Sequence, residues 1–458
     1  MKVLVCGAGQ VGSSIARHLA GEGNHVTVID NRQDVVSKVA DSIEVTTIVG
    51  NAAHPDVLNR AGARDADMLV AVTHFDEVNM VACQVAHSLF EVPEKIARIR
   101  AQTYLDPAWA DLYRREHLPI DLVISPEIEV ARAIARRLQV PGAFDMIPFG
   151  HGRLRVIGVR CDERCPVINT PLRQLTEIFP RLNIVVLGIV RNDRIIVPRG
   201  EDQMLSGDEV YFVTESGHLE RSMAAFGHEE KEARRMVIVG GGNVGLFLAD
   251  DLESTHGGLN LKLIEIDAER ARFLTERLGR TVVIAGDALE KKILDEANIA
   301  ESEAIIAVSN DDEVNILTSL LAKRAGCQRA LALINNASYA SLVGPLGIDA
   351  AISPRESTVS TILQLIRRGR IHGVHSVRDG MAEIVEAEAL ETSPLVGNPL
   401  REIKLPAGLL IGALVRGEEV IIPRGDTVIK PRDRVITFVA RTAIKRFEEL
   451  FAVRMEFF

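Results

Sequence analysis

The run Gly7-Ala8-Gly9-Gln10-Val11-Gly12 follows the β-branched stretch Val3-Leu4-Val5 and opens a helical pattern. Backbone amides of such a loop face outward at a helix N-terminus, so the chemistry on offer is the cradling of a phosphate or pyrophosphate. The first glycine permits the tight turn, the second lets backbone approach the anion, and the third packs helix on strand. The next apolar stretch, Val26 to Ile29, ends in Asp30. A carboxylate there can accept hydrogen bonds from a ribose diol and repel a 2′-phosphate, which favours NAD-type or adenosine ligands over NADP.

The same constellation occurs a second time. Gly240-Gly241-Gly242-Asn243-Val244-Gly245 repeats the loop at an offset of 233, and Glu265 takes the place of Asp30. Asn51, in Gly50-Asn51-Ala52 after the third strand, is placed near an adenine; its counterpart is Asp287 in Gly286-Asp287-Ala288. Thr73 and His74 follow the fourth strand, over the phosphates and second ribose, and Arg98 at the fifth strand is positioned to meet a phosphate. Leu333 stands where Arg98 would recur, so the two sites differ chemically. Arg32 reads as a solvated surface residue and Asp267 as the cap of the next helix, while Asp76 and Asp312 read equally as part of the ligand edge or as helix N-caps.

Catalytic machinery is missing from this pattern. No Gly-Lys pair closes a Walker loop and no Gly-x-Ser-x-Gly elbow is present. His151, His372 and His375 sit in glycine-rich surroundings without a matched carboxylate and are expected to be surface or turn histidines. Cys161 and Cys165 in a loop-like stretch lack further ligands for a metal and are expected as loose thiols. Neither a catalytic residue nor a metal site is assigned.

Positioning these residues requires alternating strands and helices. Strands at Lys2–Cys6, His25–Asp30, Val45–Val49, Met68–Val72 and Ile96–Ile99 separated by helical stretches predict a parallel sheet wound on both faces. Met68–Asn79 matches Ile305–Asn315 through an identical Asp-Glu-Val-Asn. A smaller repeat of strands follows each large one: Ile189–Gly200 pairs with Leu414–Gly425, each a hairpin running to Pro-Arg-Gly, and Ser206–Val213 pairs with Pro431–Val439. The chain is a duplication of order A–B–A–B, joined by the charged linker Gly227–Arg235. The arginines Arg132, Arg136 and Arg137, and again Arg367, Arg368 and Arg370, read as solvated helix faces between A and B.

Composition sets the broad class. The chain has 458 residues, 47% hydrophobic and 25% charged, with a formal net charge of −10. These are globular values for several folding units, and the acidic balance steers against nucleic acid. Five scattered cysteines and a start without a secretion signal predict a cytoplasmic protein. The uncharged stretch Leu331–Ile348 is broken by Asn335, Asn336, Gly344, Pro345 and Gly347 and cannot span a bilayer.

Over its whole length the sequence resembles the tandem RCK-domain (KTN) family, the regulatory subunits of bacterial Trk-type potassium uptake systems. The resemblance is carried by the opening Met1–Gly12, the block Ala66–Phe90, Ile96–Tyr104, Ile238–Gly245, Ser309–Ile316, Leu320–Gly326, Ala350–Glu356 and Glu402–Gly417. It implies an α/β fold of two Rossmann-like doubly wound domains (1–125 and 233–354), each followed by a small α+β RCK-C domain (142–226 and 371–453). It implies that NAD(H) and ATP or ADP bind at Gly7, Ala8, Gly9, Gln10, Val11, Asp30, Thr73, His74 and Arg98, and again at Gly240 to Val244 and Glu265. It further implies a homotetramer beneath a membrane-embedded potassium translocator, gated through conformation. Two other readings of the motifs are an NAD-dependent oxidoreductase, which would need an acid or base not found here, and a nucleotide sensor for another cation transporter.

Overall fold

The computed structural model describes residues 1–451 apart from 22, 180–181, 256, 367–370 and 379. The triad Arg367, Arg368 and Arg370 and the end of segment 371–453 therefore lie outside the described residues.

The first segment comprises β1 (Lys2–Cys6), α1 (Gln10–Gly21), β2 (His25–Asp30), α2 (Gln33–Ser42), β3 (Thr46–Val49), α3 (Pro55–Arg60), β4 (Met68–Ala71), α4 (Asp76–Phe90), β5 (Glu94–Arg98), β6 (Leu122–Ile124) and α5 (Pro126–Leu138). Its strands form one parallel sheet of order β3-β2-β1-β4-β5-β6. The chain starts at the centre, winds outward through β3, then crosses back past β1 to β4, which leaves a crevice at the carboxyl ends of β1 and β4. β1 and β4 read as unbroken apolar runs because helices cover both faces of the sheet.

An antiparallel module follows: β7 (Ala143–Phe149), β8 (Leu154–Arg160), α6 (Leu172–Ile178), β9 (Ile184–Arg191), β10 (Arg194–Ile196), β11 (Glu209–Glu215) and α7 (Leu219–Ala225), with order β10-β9-β11-β8-β7. The β9–β10 hairpin turns on Asn192 and Asp193, both left-handed at φ 51° and 57°, as short Asx-rich hairpin turns require. Arg191 makes a two-pronged ion pair with the buried Asp208 at 2.8 and 2.7 Å, and the second module repeats it with Arg416 and Asp433 at 2.9 and 2.7 Å.

The second half rebuilds both sheets. β12 (Arg235–Val239), α8 (Asn243–Thr255), β13 (Asn260–Glu265), α9 (Ala268–Arg277), β14 (Val282–Ala285), α10 (Lys291–Glu296), β15 (Ala304–Ala307), α11 (Asp312–Ala325), β16 (Arg329–Leu333), α12 (Ala337–Val343), β17 (Ala350–Ile352) and α13 (Pro354–Ile366) give the parallel order β14-β13-β12-β15-β16-β17. Then β18 (Ile371–Val377), β19 (Ala382–Glu388), β20 (Leu409–Arg416), β21 (Glu419–Ile421), β22 (Arg434–Ala440) and α14 (Ile444–Phe451) give β18-β19-β22-β20-β21. No regular element lies between Gly227 and Arg234.

Compactness divides the chain into two units, residues 1–129 with 355–363, and residues 130–354 with the segment from 364 onward. In the first, Thr361 of α13 donates to Glu129 of α5 at 3.3 Å. In the second, Val130, Ile134 and Leu138 of α5 are buried with Met236, Ile238 and Leu263 of the second parallel sheet. The second unit also joins the two antiparallel modules through one core that holds Leu187, Tyr211, Ala413 and Phe438. Its shape is a knob and hole used twice: the Phe438 ring fills the space over Gly188, and Leu187 fills the space over Gly412.

Several expectations are corrected here. Cys161 and Cys165 are not loose: both thiols are buried in the core of the first antiparallel module. His372 and His375 are strand residues on β18, each beside a carboxylate, with His375 Nε2 2.8 Å from Asp145 and His372 Nε2 3.4 Å from Glu388. His151 has a left-handed backbone, φ 55°, and lies 3.4 Å from Arg434 Nη1. Arg137 is not a solvated helix residue: it ion-pairs with Asp145 at 2.9 Å and donates to the Phe144 carbonyl at 2.8 Å.

Candidate nucleotide sites

Each glycine loop turns on a left-handed first glycine, Gly7 at φ 106° and Gly240 at φ 100°, a conformation that side chains resist. The third glycine has a different reason from the one read in the sequence. A Cβ on Gly12 would run into the carbonyl oxygen of Gly7, and one on Gly245 into that of Gly240, so the helix packs on its own loop rather than on the strand alone. The second glycine is open: a Cβ on Gly9 or Gly242 meets nothing within 4 Å.

Behind each loop lies its acid. Asp30 accepts from Ala8 N at 2.8 Å on one oxygen and from Arg32 N at 2.9 Å on the other. Glu265 repeats this with Gly241 N at 2.6 Å and Asp267 N at 2.9 Å. Each carboxylate thus braces the loop against the following turn through one backbone amide on each oxygen. Asp and Glu are matched to their partners: Ala8 stands opposite the shorter acid, while a Cβ on Gly241 would come within 2.8 Å of Glu265 Oε2. Arg32 is largely exposed, 3.9 Å from Asp30, and Asp267 caps α9 by accepting from Arg270 N at 2.7 Å.

Asn51 and Asp287 close equivalent turns, accepting from Ala53 N and Leu289 N at 2.9 Å. Thr73 is fixed by Asn79, whose Oδ1 receives both the Thr73 amide (2.9 Å) and its hydroxyl (2.7 Å) while its Nδ2 reaches the Arg98 carbonyl at 2.8 Å. Ser309, Asn315 and Leu333 reproduce the arrangement at 2.9, 2.8 and 2.9 Å. Asp76 and Asp312 are not caps of their own helices. Asp76 accepts from Arg100 N and Ala101 N in the turn after the neighbouring strand β5, and Asp312 from Asn335 N and Asn336 N after β16; Asp311 is the residue that caps α11. The shared Asp-Glu-Val-Asn is therefore a clamp tying the ends of the fourth and fifth strands together from one helix face.

In the first domain Gly7 to Val11, Asp30, Asn51, Thr73, His74 and Arg98 all stand along the carboxyl edge of the sheet. His74 is exposed. Arg98 is part-buried, its Nε has no partner, and burial pulls its guanidinium below the usual range. In the second domain Gly240, Gly242, Glu265 and Asp287 line an open cleft of about 450 Å³. Gly241 lies behind it against Glu265, and Asn243 and Val244 open α8 outside the lining. Ser309, Asn310, Asp311, Ile266 and Arg270 also line this cleft and were missed in the sequence. The offset of 236 that links the two Asp-Glu-Val-Asn runs carries Thr73 to Ser309 and His74 to Asn310; Arg270 has Val35 as its counterpart and gave no signal. Among the described residues, no three His, Cys, Asp or Glu gather to hold a metal and no helix is long and apolar enough to cross a membrane.

Two dinucleotide-type sheets with braced glycine loops, each followed by a five-stranded antiparallel module, define the tandem RCK class of protein. The crystal structure of the GsuK RCK domain is similar in fold, with TM-score 0.59 and 18% identity over 99% of this chain and 95% of that one. The GsuK channel gives TM-score 0.60 at 18% identity over 99% of this chain and 79% of that one. The TrkA-N domain family matches residues 3–126 and 236–354, and the TrkA-C domain family matches 156–227 and 384–452. Trk system potassium uptake protein TrkA of Azorhizobium caulinodans is 53% identical over 458 residues, all of both chains. That of Halomonas elongata is 43% identical over 462 residues, again covering both in full. The chain belongs to the TrkA family.

Proposed function

We propose that this chain is the nucleotide-responsive regulatory subunit of a Trk-type potassium uptake system. It binds NAD(H) and ATP or ADP at the carboxyl edges of its two parallel sheets and gates a membrane-embedded potassium translocator by conformational change. It does so as a homotetramer on the cytoplasmic face of the membrane. The carrying observation is the loop braced by an acid, built twice at the carboxyl edge of a doubly wound sheet. The full-length relatives named for potassium uptake support the partner.

The physical route is a population shift. A nucleotide that binds one arrangement of the chain more tightly than another moves the equilibrium by its differential affinity and no further. The acids Asp30 and Glu265 set the preference for a free ribose diol, so NADPH should bind more weakly than NADH.

The test is calorimetric titration of the full chain with NAD+, NADH, NADPH, ATP and ADP, followed by potassium flux in vesicles carrying the translocator. Saturable binding with nucleotide-dependent flux supports the reading. Flux that ignores every nucleotide overturns it.

A further inference from the structure

The two nucleotide edges share a backbone but not a charge. The second cleft is lined by four carboxylates, Glu265, Asp267, Asp287 and Asp311, against one guanidinium, Arg270. At the matched positions the first domain keeps one carboxylate, Asp30, and replaces the others with Arg32, Asn51 and Phe75. It then adds Arg98 where the second has Leu333. Arg60 adds a further cation: its Nη2 reaches the Val49 carbonyl at the end of β3 at 3.4 Å, and its counterpart is Glu296.

The second cleft's acids are held in place by backbone amides. Asp267, Asp287 and Asp311 each accept one, from Arg270, Leu289 and Val314, and Glu265 accepts two. They cannot swing away from an incoming anion without giving up these bonds. Arg270 sits over the glycine loop, its Nε donating to the Gly241 carbonyl at 2.8 Å, with a buried Nη2 that has no partner. One such cation suits a single pyrophosphate. Beside it Ile266, 71% exposed at the lip, offers an apolar surface for a base where the first domain has Asn31.

Resting on the nucleotide reading above, we propose that charge divides the two sites between ligands. The first edge takes the polyphosphate nucleotide, ATP, and the second cleft takes the nucleotide rich in ribose diols and poorer in phosphate charge, NAD(H). Like charges facing the γ-phosphate exclude ATP from the second cleft; cations at the first welcome it. The chain then reads energy charge and redox state in separate lobes.

The experiment uses the full chain in buffer free of divalent cations. A Cβ at the open second glycine meets nothing within 4 Å, so a glutamate placed there sets a carboxylate against an incoming phosphate: Gly9→Glu is the variant that blocks the first edge and Gly242→Glu the one that blocks the second cleft. Melting curves establish that both variants fold. In Gly9→Glu, ATP should bind at least about tenfold more weakly than NADH, and the order should reverse in Gly242→Glu. Adding Asp267→Arg and Asp287→Asn to Gly9→Glu copies two of the first domain's differences and should tighten ATP by about tenfold, less at high salt. The wild type gives the same answer without substitution: saturating NADH should leave ATP binding near one equivalent per chain.

Equal affinities in both single-site variants, or full competition between ATP and NADH in the wild type, would overturn the division while leaving the nucleotide reading intact. A wild type that binds neither ligand overturns both.

Discussion

Glu265 Oε2 accepts the amide of Gly241 at 2.6 Å, and it occupies the space a side chain at 241 would need. In the first domain the acid is one methylene shorter and the loop residue, Ala8, one methyl larger, at 2.8 Å. The two differences compensate, so the acid and the residue behind the loop form a matched pair.

Gly241→Ala should therefore destabilise the second unit by about 1–3 kcal/mol through overpacking against Glu265 and Leu274. Adding Glu265→Asp should recover part of that loss, because it recreates the first domain's pair and leaves the contact with Leu274. Urea unfolding of the two single variants and the double variant measures the coupling, and additive losses would refute the pairing.

The third glycines should be far less tolerant than the second. Gly12→Ala and Gly245→Ala push a methyl into a carbonyl oxygen and should each cost about 2–3 kcal/mol, whereas Gly9→Ala and Gly242→Ala, with open space around them, should stay within about 1 kcal/mol. Thermal melts of the four variants decide this. Equal costs at all four positions would contradict the loop geometry.

Removing the clamp should loosen one edge and spare the rest. Asn315 is fully buried and makes bonds to Ser309 and Leu333, so Asn315→Ala should cost about 2–4 kcal/mol. Hydrogen exchange should rise first in the loops after β15 and β16. Uniform exchange across the second parallel sheet would argue against a local clamp.

Acid should find the bridge between the antiparallel modules late. Burial would push the Asp145 carboxyl up, but Arg137 and His375 outweigh it and hold it well below the usual carboxylate range. A depressed carboxyl stabilises the fold above its unfolded value of about 4 and loses that contribution only as pH falls below it. Asp145→Asn should therefore cost about 3 kcal/mol at neutral pH. The gap to wild type should hold between pH 5 and 8, roughly, and close below about pH 4. A gap that closes instead between pH 6 and 7 would assign the linkage to a histidine.

The doubly wound order was legible because strand period, glycine turns and closing acids are local patterns, and they occur twice. The third glycine's collision with the first, by contrast, needs the loop's three-dimensional path. Asp76 and Asp312 misled for a related reason: an acid opening a helix looks like a cap, yet α4 and α11 turn these carboxylates toward amides 24 and 23 residues ahead.

By itself the sequence determined two nucleotide-type sheets, their antiparallel companions, the glycine loops and the acid after each second strand. Periodicity and turn chemistry act over a few residues, and those suffice for such features. Only the tertiary structure decided that part of α13 joins the first unit, that α5 buries Val130 and Ile134 against the second parallel sheet, and that Arg270 stands over the second glycine loop. These depend on which apolar face meets which sheet and on how long side chains converge across one edge. Amphipathic helices of similar pattern are interchangeable until packing chooses between them.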